Sequence, residues 1–370
     1  MKVRAVTLHR LRVPLLEPFR ISNGSVAEKE AILIELKTDD GFVGWGEASP
    51  MSGSFYSEDT PDSTWVTLTE QLVPMLFKIG KVEPFEFHTH LREVIGEPFA
   101  KAGIEGALWD CRAQSQGVPL CQLLGASVRP ISSGVAIGIF DHVDELIERV
   151  QRYLGQGYQR VKIKIQPGWD LQAVEAVRQQ FPRVPLMVDA NAAYSLADQE
   201  IFRELDKFNL MMIEQPLAKD AHQEAAQLQR FLRTPICADE SADSIDSLTS
   251  LIELKAARIV NIKIQRVGGL SEALLMLKLS RAAGLHCWVG TMPELGVASA
   301  QGLHLATHPG FTFPTDIEAS LRWYVDDVIE PLIDIDRDGF IHLQSGAGTG
   351  FRVSREKLER HSTAVETFAS

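Results

Sequence analysis

The sequence predicts an α/β protein in which a (β/α)8-type barrel carries an α+β capping domain built from the N-terminal segment and the C-terminal tail. Three observations predict it. Before about residue 125 the pattern is strands followed by helices, which is typical of α+β structure. After about Pro130, short β-rich runs alternate with amphipathic segments, which indicates right-handed βαβ units. Charged residues end five of these runs at nearly constant spacing.

The chain of 370 residues divides into three parts on this basis. We expect the capping domain with its lid loops at 1–128, the catalytic barrel at 129–322, and a segment at 323–370 that returns to the capping domain. An open, doubly wound sheet is the alternative fold. It would carry a glycine-rich turn after its first strand, and the run from Gly134 to Gly138 is a poor version of one.

The N-terminal part supplies a hairpin, two long loops and a block of helices. Strands are predicted at 3–15 and 31–46, with an Asp-Gly hairpin turn at 38–41. The polar segments 19–25 and 48–60 are too long for simple turns, so we expect loops that act as lids. Helices are predicted at 63–78, 84–95 and 101–116.

The barrel strands follow in order. They are predicted at 133–137, 160–165, 186–189, 211–214, 236–238, 259–262 and 287–289, with a weaker eighth candidate at 312–316. Helices between them include 171–181, 223–232, 245–254 and 270–283. Alternating units of this length favour a closed barrel with helices outside.

Charge and cysteine content disfavour several classes of protein. Lys and Arg total 37 and Asp and Glu 49, a formal net charge of −12. Because phosphate backbones and anionic lipid repel an acidic chain, we expect no nucleic-acid or membrane partner. The 4 cysteines are widely spread without a CxxC pair, which disfavours a disulfide framework or zinc cluster. No run approaches the roughly 20 apolar residues of a membrane span, and we expect a cytoplasmic protein.

The five charged residues at strand ends carry the functional prediction. They are Lys164, Asp189, Glu214, Asp239 and Lys263, at intervals of 25, 25, 25 and 24 residues. Barrel strands end on the face where such enzymes do their chemistry, so we expect one pocket. Three carboxylates on neighbouring strands form an oxygen-rich site that suits Mg²⁺, with Mn²⁺ as a possible substitute. The alternative is that each acid caps the following helix.

The two lysines complete this hypothesis. Lys164 and Lys263 end the second and sixth of eight strands, so we expect them to face each other across the barrel. One could remove the proton α to a substrate carboxylate, giving an enolate intermediate, and the other could return a proton from the far side. Lys162, Arg266 and the metal place positive charge nearby, which should lower the pKa of the catalytic lysines. A lysine that serves only in a salt bridge is the alternative.

The motifs around these residues resemble the enolase superfamily. Within its muconate cycloisomerase-like subgroup, they are most similar to the o-succinylbenzoate synthase / N-acylamino acid racemase family. The most specific stretches are 162–170, 189–194, 213–217, 234–241 and 261–269. The resemblance implies a modified TIM barrel, Mg²⁺ ligation by the three acids and acid–base roles for the two lysines. It also implies a small-molecule carboxylate substrate and a homo-oligomer.

Further residues are expected around the substrate. The resemblance implies supporting roles for Asn191 and Glu240, and lids at 19–24 and 55–56 that select the substrate. The full surrounding set comprises Lys162, Asn191, Glu240, Arg266, Thr291, Met292, Glu294, Asp316, Phe19, Ser22 and Tyr56. The ends of the seventh and eighth strands depart from the family pattern, so the substrate stays open.

Dehydration to o-succinylbenzoate and racemisation of N-succinyl or N-acyl amino acids are the first choices of reaction. Asp316 and Glu318 are similar, imperfectly, to the Asp-x-Asp with which dipeptide epimerases hold a substrate ammonium. The alternative for this pair is a surface loop with spare acids. Dipeptide epimerisation or muconate-type cycloisomerisation is therefore the second choice. A non-catalytic ligand-binding barrel is the alternative from a different class.

Overall fold

The computed structural model describes residues 1–21, 24–51 and 57–370, with the backbone alone described at 19–21 and 24. An antiparallel sheet at one end is formed by β1 (Val3–Ile21), β2 (Gly24–Thr38) and β3 (Val43–Ala48), joined by the last strand of the chain. The predicted Asp-Gly turn is present, because the Gly41 amide donates to Thr38 O (3.1 Å) and Gly41 has a φ of 89° that favours glycine.

Helices cover one face of this sheet. They are α1 (Pro61–Thr67), continued by a π-helical turn at Leu68–Leu72, then α2 (Val73–Ile79), α3 (Pro84–Leu91), α4 (Pro98–Gln116) and α5 (Leu120–Leu123). Helix α4 lies directly on β3, where a Cβ at Gly46 would come within 2.0 Å of Gly103 O. The glycine therefore permits the close contact that buries Ile34, Ile104 and Ala107 between sheet and helix.

The second body is a parallel barrel. After β4 (Ile131–Ser132), its strands are β5 (Val135–Ile137), β6 (Val161–Lys164), β7 (Leu186–Asp189), β8 (Ile213–Glu214), β9 (Ile236–Ala238), β10 (Ile259–Ile262) and β11 (His286–Val289), hydrogen-bonded in that order. The intervening helices are α6 (Val143–Gly155), α7 (Leu171–Gln180), α8 (Gln199–Leu205), α9 (His222–Phe231), α10 (Ile245–Leu254), α11 (Ile264–Val267), α12 (Leu270–Ala282) and α13 (Gly296–Ala306). Short 3-10 turns flank α8 at Leu196–Asp198 and Asp206–Phe208.

The ring is closed by the segment predicted as an eighth strand. Within the described chain this segment forms isolated bridges rather than a full strand, Phe311 to Cys287 and Thr315 to Ser133. Thr312 donates to Cys287 O (3.0 Å) on one side, and Gly134 donates to Thr315 O (2.8 Å) on the other. The seven-stranded parallel sheet is therefore joined edge to edge, which gives the predicted barrel.

The rest of the chain returns to the first body. It contains α14 (Ser320–Trp323), β12 (Ile329–Glu330), β13 (Phe340–Ile341), β14 (Arg352–Val353), α15 (Arg355–His361) and β15 (Ser362–Ala369). Strand β15 pairs antiparallel with β1, so the C-terminal tail completes the capping sheet as expected. No helix in the described ranges is long and apolar enough to cross a membrane.

One loop prediction is wrong. Residues 19–25 were expected to form a lid loop, but the backbone of Phe19, Arg20 and Ile21 continues β1 and pairs with Val26, Ser25 and Gly24 of β2. The pairing of β1 with β2 shifts register between Pro14 and Phe19 and then continues at 19–21. The polar composition of this segment does not reveal that pairing. In the second predicted loop, 49–51 and 57–60 belong to no helix or strand, and 52–56 lie outside the described residues.

A buried carboxylate joins the capping domain to the barrel. Glu47, near the end of β3, accepts hydrogen bonds from the backbone amides of Leu295 and Ala298, each at 2.8 Å, at the N-terminus of α13. An anion at this position also complements the helix dipole. Gln265 adds a second link, since it donates to Glu47 O (2.8 Å) and accepts from the Ser49 amide (3.0 Å). The capping domain is thereby fixed over one end of the barrel.

His304 on α13 makes a third link between distant parts of the chain. Its Nδ1 accepts from the Cys121 amide (3.1 Å), and its Nε2 lies 3.0 Å from Thr349 O, which requires a proton on Nε2. The imidazole is therefore neutral, and both of its ring nitrogens have hydrogen-bond partners. Burial lowers the pKa of His304 to about 4.

We predict that His304 makes folding stability depend on pH in the acidic range. Its folded pKa lies below the ordinary value of about 6.5, so the unfolded state binds the proton first as pH falls. The contribution is fully present above about pH 6.5 and should decrease by about 2 kcal/mol between pH 7.5 and 5. Urea unfolding of the wild type and His304→Gln across this range measures it.

The difference in unfolding free energy between wild type and His304→Gln should shrink as pH falls. The exposed His142 provides a control, since His142→Gln should change the unfolding free energy little. Parallel pH profiles for wild type and His304→Gln would contradict this assignment.

Candidate active site

Five charged residues come together at the carboxyl ends of the barrel strands. Lys164, Asp189 and Glu214 are the last residues of β6, β7 and β8, while Asp239 and Lys263 directly follow β9 and β10. Register pairs Lys164 with Asp189, and Asp189 with Glu214. All five are buried, between 0% and 7% exposed. The closed ring thus places side chains that lie far apart in sequence in one cluster.

Each of the two lysines is held by an acid at the end of a neighbouring strand. Lys164 Nζ donates to Asp189 Oδ2 (2.5 Å) and to Asn191 Oδ1 (2.7 Å). Lys263 Nζ donates to Asp239 Oδ2 (2.9 Å). Both lysines line one cavity, although β6 and β10 are separated by three strands in the sheet. The arrangement places two ammonium groups on opposite sides of the same space.

A third lysine lies lower in the barrel. Lys162 donates to Glu214 Oε2 (3.1 Å), lies 3.5 Å from Asp189 Oδ2 and also contacts Asp316. Burial opposes its charge, but Asp316, Glu214 and Asp189 together raise the pKa of Lys162 above its ordinary value. Burial and the neighbouring Asp189 raise the pKa of Glu214 to about 7. Lys162 therefore stays protonated, while Glu214 beside it is held less firmly in its charged form.

Arg266 contacts an acid of the cluster. It forms an ion pair with Asp239 and also donates to Ala242 O (3.3 Å) and Asn261 O. Although burial favours the neutral acid, Arg266 and Lys263 hold the pKa of Asp239 well below its usual range. Arg266 therefore keeps Asp239 ionised beside Lys263.

Asn191 lines the cavity beside Lys164, and Glu240 lies behind Asn191. The Asn191 side chain donates to Glu240 Oε1 (2.9 Å), and its backbone amide donates to Asp189 Oδ1 (3.0 Å). Burial and the charge of Asp239 raise the pKa of Glu240 to about 8. The backbone of Asn191 has a φ of 42°, a left-handed conformation that is uncommon for non-glycine residues and found at functional sites.

Of the residues expected near the substrate after the seventh strand, two line the cavity and one does not. Thr291 and Met292 line the cavity, whereas Glu294 lies behind it, where its carboxylate accepts from the Met292 amide (3.2 Å). Burial and the nearby Glu47 raise the pKa of Glu294 to about 8. Ser22 and Tyr56 lie outside the described residues, and only the backbone of Phe19 is described, within β1.

Asp316 and Glu318 are not surface acids, so that alternative is wrong. Both are buried and line the cavity. Asp316 Oδ1 accepts from Arg160 (2.7 Å), and its Oδ2 contacts Lys162. Despite burial, these two cations lower the pKa of Asp316 to about 2. Asp316 is therefore already neutralised by residues of this chain.

Sequence reasoning missed Arg160, Asn261 and Gln215. Arg160 neutralises Asp316, and Asn261 donates to Glu214 Oε1 (2.7 Å). Gln215 accepts from the amide of Asp239 (3.0 Å). A signal for Arg160 was present: residues 160, 162 and 164 alternate along one strand, so they share its inward face. Asn261 and Gln215 lie in the strand-end motifs, but their partners Glu214 and Asp239 lie on or after neighbouring strands, which the motifs do not indicate.

Cations occupy the space among the three strand-end carboxylates. Within residues 1–21, 24–51 and 57–370, no group of three or more His, Cys, Asp or Glu side chains has an arrangement that could hold a metal ion. Instead Asp189, Glu214 and Asp239 each contact at least one lysine. The acids form neighbouring ion pairs.

Two family models match the chain. Residues 3–125 match the mandelate racemase / muconate lactonizing enzyme N-terminal domain, and residues 145–357 match the enolase C-terminal domain-like family. The matched segments correspond to the capping sheet with its helices and to most of the barrel with part of the C-terminal segment.

Curated relatives and a solved structure agree with these matches. The chain is 42% identical over 368 residues to an o-succinylbenzoate synthase from Geobacillus kaustophilus, covering 100% of this chain and 98% of the relative. It is 38% identical over 360 residues to an N-succinylamino acid racemase from Thermus thermophilus, covering 97% of each. A crystal structure of an enolase superfamily member from Listeria innocua aligns with a TM-score of 0.96 at 35% identity, covering 100% of this chain and 99% of that one.

These matches confirm the resemblance and the fold class predicted from the strand-end motifs. Relatives with matching length carry the names of a lyase and of an isomerase, so the prediction of an enzyme is confirmed as well. The chain belongs to the enolase superfamily.

Proposed function

We propose that this enzyme removes the proton α to the carboxylate of a small-molecule substrate, with Lys164 and Lys263 acting from opposite sides. One observation carries the proposal: both ammonium groups line a single cavity from strands on opposite walls of the barrel. A barrel that only binds a ligand has no need of two such groups. Proton removal and return from two faces needs both.

The proposed reactions are dehydration to o-succinylbenzoate, racemisation of N-succinyl or N-acyl amino acids, or both. Relatives bearing each of these names support them. In racemisation the two lysines act in turn, one removing the α-proton and the other supplying a proton to the far face. In dehydration one lysine removes the α-proton and then, as an ammonium, gives a proton to the hydroxyl on the adjacent carbon, which leaves as water when its C–O bond breaks. The other lysine remains beside the substrate as a cation.

The other reactions considered have less support. A dipeptide epimerase would need a free acid for the substrate ammonium, but Asp316 is already paired with Arg160 and Lys162, and Glu318 with Arg322. No observation favours a muconate-type cycloisomerisation.

We propose Mg²⁺ as the cofactor, with Mn²⁺ as a substitute, held by Asp189, Glu214 and Asp239. The donor set suits the ion, because Mg²⁺ prefers a few carboxylate oxygens and keeps positions for water and substrate. Burial is the largest cause of the raised pKa of Glu214, and the charge of Asp189 adds to it; a divalent cation beside this carboxylate would oppose both effects. When bound, a divalent cation supplies positive charge beside the substrate carboxylate, where electron density rises as the proton leaves.

The chain's own residues position the reacting groups. Asp189 and Asn191 hold Lys164 Nζ, and Asp239 holds Lys263 Nζ, so each amine is fixed on its side of the cavity. Val26 of β2 and Met51 after β3 also line this space, so the capping domain covers it with apolar surface. Excluding water strengthens the electrostatic contacts within the cavity.

We predict complementary losses when each lysine is removed. In D₂O, Lys164→Ala should abolish α-proton exchange from one enantiomer of an N-succinyl amino acid, and Lys263→Ala from the other, because each amine serves one face. Proton NMR follows both exchanges. Lys207→Ala is the matched control, since Lys207 is exposed and pairs with Glu204 on the surface, away from the cavity. Two single variants that both exchange both enantiomers would disprove the opposed-base arrangement.

A divalent cation should be required for exchange. Chelation with EDTA is expected to reduce the exchange rate at least about 100-fold, because the substrate carboxylate loses its stabilising charge, and Mg²⁺ or Mn²⁺ should restore it. Adding Mg²⁺ should also raise the Tm of the wild type, as a bound ligand stabilises the folded state.

Glu214→Gln separates specific binding from a general salt effect. It should remove most of the Mg²⁺-dependent rise in Tm, whereas Glu204→Gln on the surface should not. Full exchange in EDTA, or an equal Tm rise in both variants, would rule out the proposed ligand set.

A further inference from the structure

A buried lysine of the capping sheet binds the segment that follows β3. Lys29 on β2 is only 1% exposed, and its Nζ donates to Ser49 O and Pro50 O, both at 2.9 Å. Burial lowers the pKa of Lys29 to about 8, although the charges of Glu47 and Glu294 oppose this shift. An ammonium group is costly to bury, so the two carbonyls are held by a contact that a surface lysine would not need to make.

The segment 49–51 depends on such contacts because it has left the sheet. The pairing of β2 with β3 ends where this segment begins, and its residues belong to no helix or strand. Pro50 also has no amide hydrogen to donate. Side chains supply the hydrogen bonds instead, since Lys29 binds two carbonyls and Gln265 accepts from the Ser49 amide at 3.0 Å.

The same segment brings an apolar side chain to the active cavity. Met51 is buried and lines the cavity together with Lys263. Gln265 lies two residues after Lys263, in α11. The segment is therefore held from two sides, by Lys29 in the capping sheet and by a helix that begins directly after a proposed catalytic lysine.

We propose that Lys29 is a positioning residue, which fixes the segment 49–51 so that Met51 packs against the substituent on the substrate's α-carbon. Under the proposed function the substrate carboxylate lies at the strand-end acids, with the α-carbon between the two lysines. The substituent then extends toward the capping domain, where Met51 and Val26 line the cavity. This role of Lys29 rests on the proposed function and adds to it a residue that acts through Met51.

Lys29→Met tests this role, because methionine has a similar length but cannot donate a hydrogen bond. Exchange of the α-proton of N-succinyl-L-leucine in D₂O with Mg²⁺ gives kcat and KM. KM should rise about 10-fold while kcat changes less than about 3-fold, since the lost contact stabilises ground and transition states alike. Lys37→Met is the matched control: Lys37 lies on the same strand with a half-exposed side chain, and both constants should stay unchanged.

A double variant distinguishes action through Met51 from a general loss of structure. Met51→Ala should raise KM by a similar factor, and adding Lys29→Met to it should raise KM no further, because both changes remove the same contact. Increases that multiply in the double variant would overturn the inference. An unchanged KM in Lys29→Met, or a loss in kcat alone, would also overturn it.

Amide hydrogen exchange measures the position of the segment without any substrate. In the peptide that contains residues 49–51, exchange should be about 10-fold faster in Lys29→Met than in the wild type, and unchanged in Lys37→Met. If Lys29→Met does not fold, Lys29→Gln replaces it. The glutamine side chain is one bond shorter and can donate to one of the two carbonyls, so KM and amide exchange should both rise by an intermediate factor.

The outcomes separate this inference from the proposed function. Equal amide exchange in the wild type and in a folded Lys29 variant overturns the positioning role alone. Absence of α-proton exchange in the wild type overturns the proposed racemisation, while amide exchange at 49–51 still decides whether Lys29 holds this segment.

Discussion

The structure depends on the mutual neutralisation of charges buried at the carboxyl ends of the barrel strands. A lone buried ion is costly, and removing one partner of a buried pair leaves the other uncompensated. A closed parallel ring solves this, because it places Lys164 beside Asp189 and Lys263 beside Asp239 from adjacent strands and loops. The same contacts fix the amines in position. Fold stability and chemistry therefore rest on one set of ion pairs.

The surrounding layers isolate these charges from water. Below them, the ring of Trp288 lies 5.2 Å from the Arg160 guanidinium and 5.1 Å from Lys162 Nζ, which joins the charged layer to the apolar barrel interior. Above them, Val26 and Met51 of the capping domain line the cavity. Glu47 keeps the capping domain in place through the first amides of α13. Neither body alone encloses the cavity.

The sequence allowed prediction of features that have a local signal. Lys164 and Asp189 each end an apolar run, and one βα period separates them, so their convergence follows from the barrel itself. The pairing of Asp316 with Arg160 depends on ring closure between distant segments, which no local pattern records. Nor does a local pattern record that Glu47 binds α13. The segment 19–25 was assigned to a loop because its composition is polar, whereas pairing with β2 decides its backbone.

In the proposed reaction two amines serve opposite faces of one α-carbon, and the fate of a single proton tests this arrangement most directly. In one turnover of an L-substrate in D₂O, the D-product should contain solvent deuterium and no protium carried over from the substrate, because the incoming proton comes from the second lysine. A single base returning protons to both faces would carry a measurable fraction of the original protium into the product. Such carry-over would contradict the account.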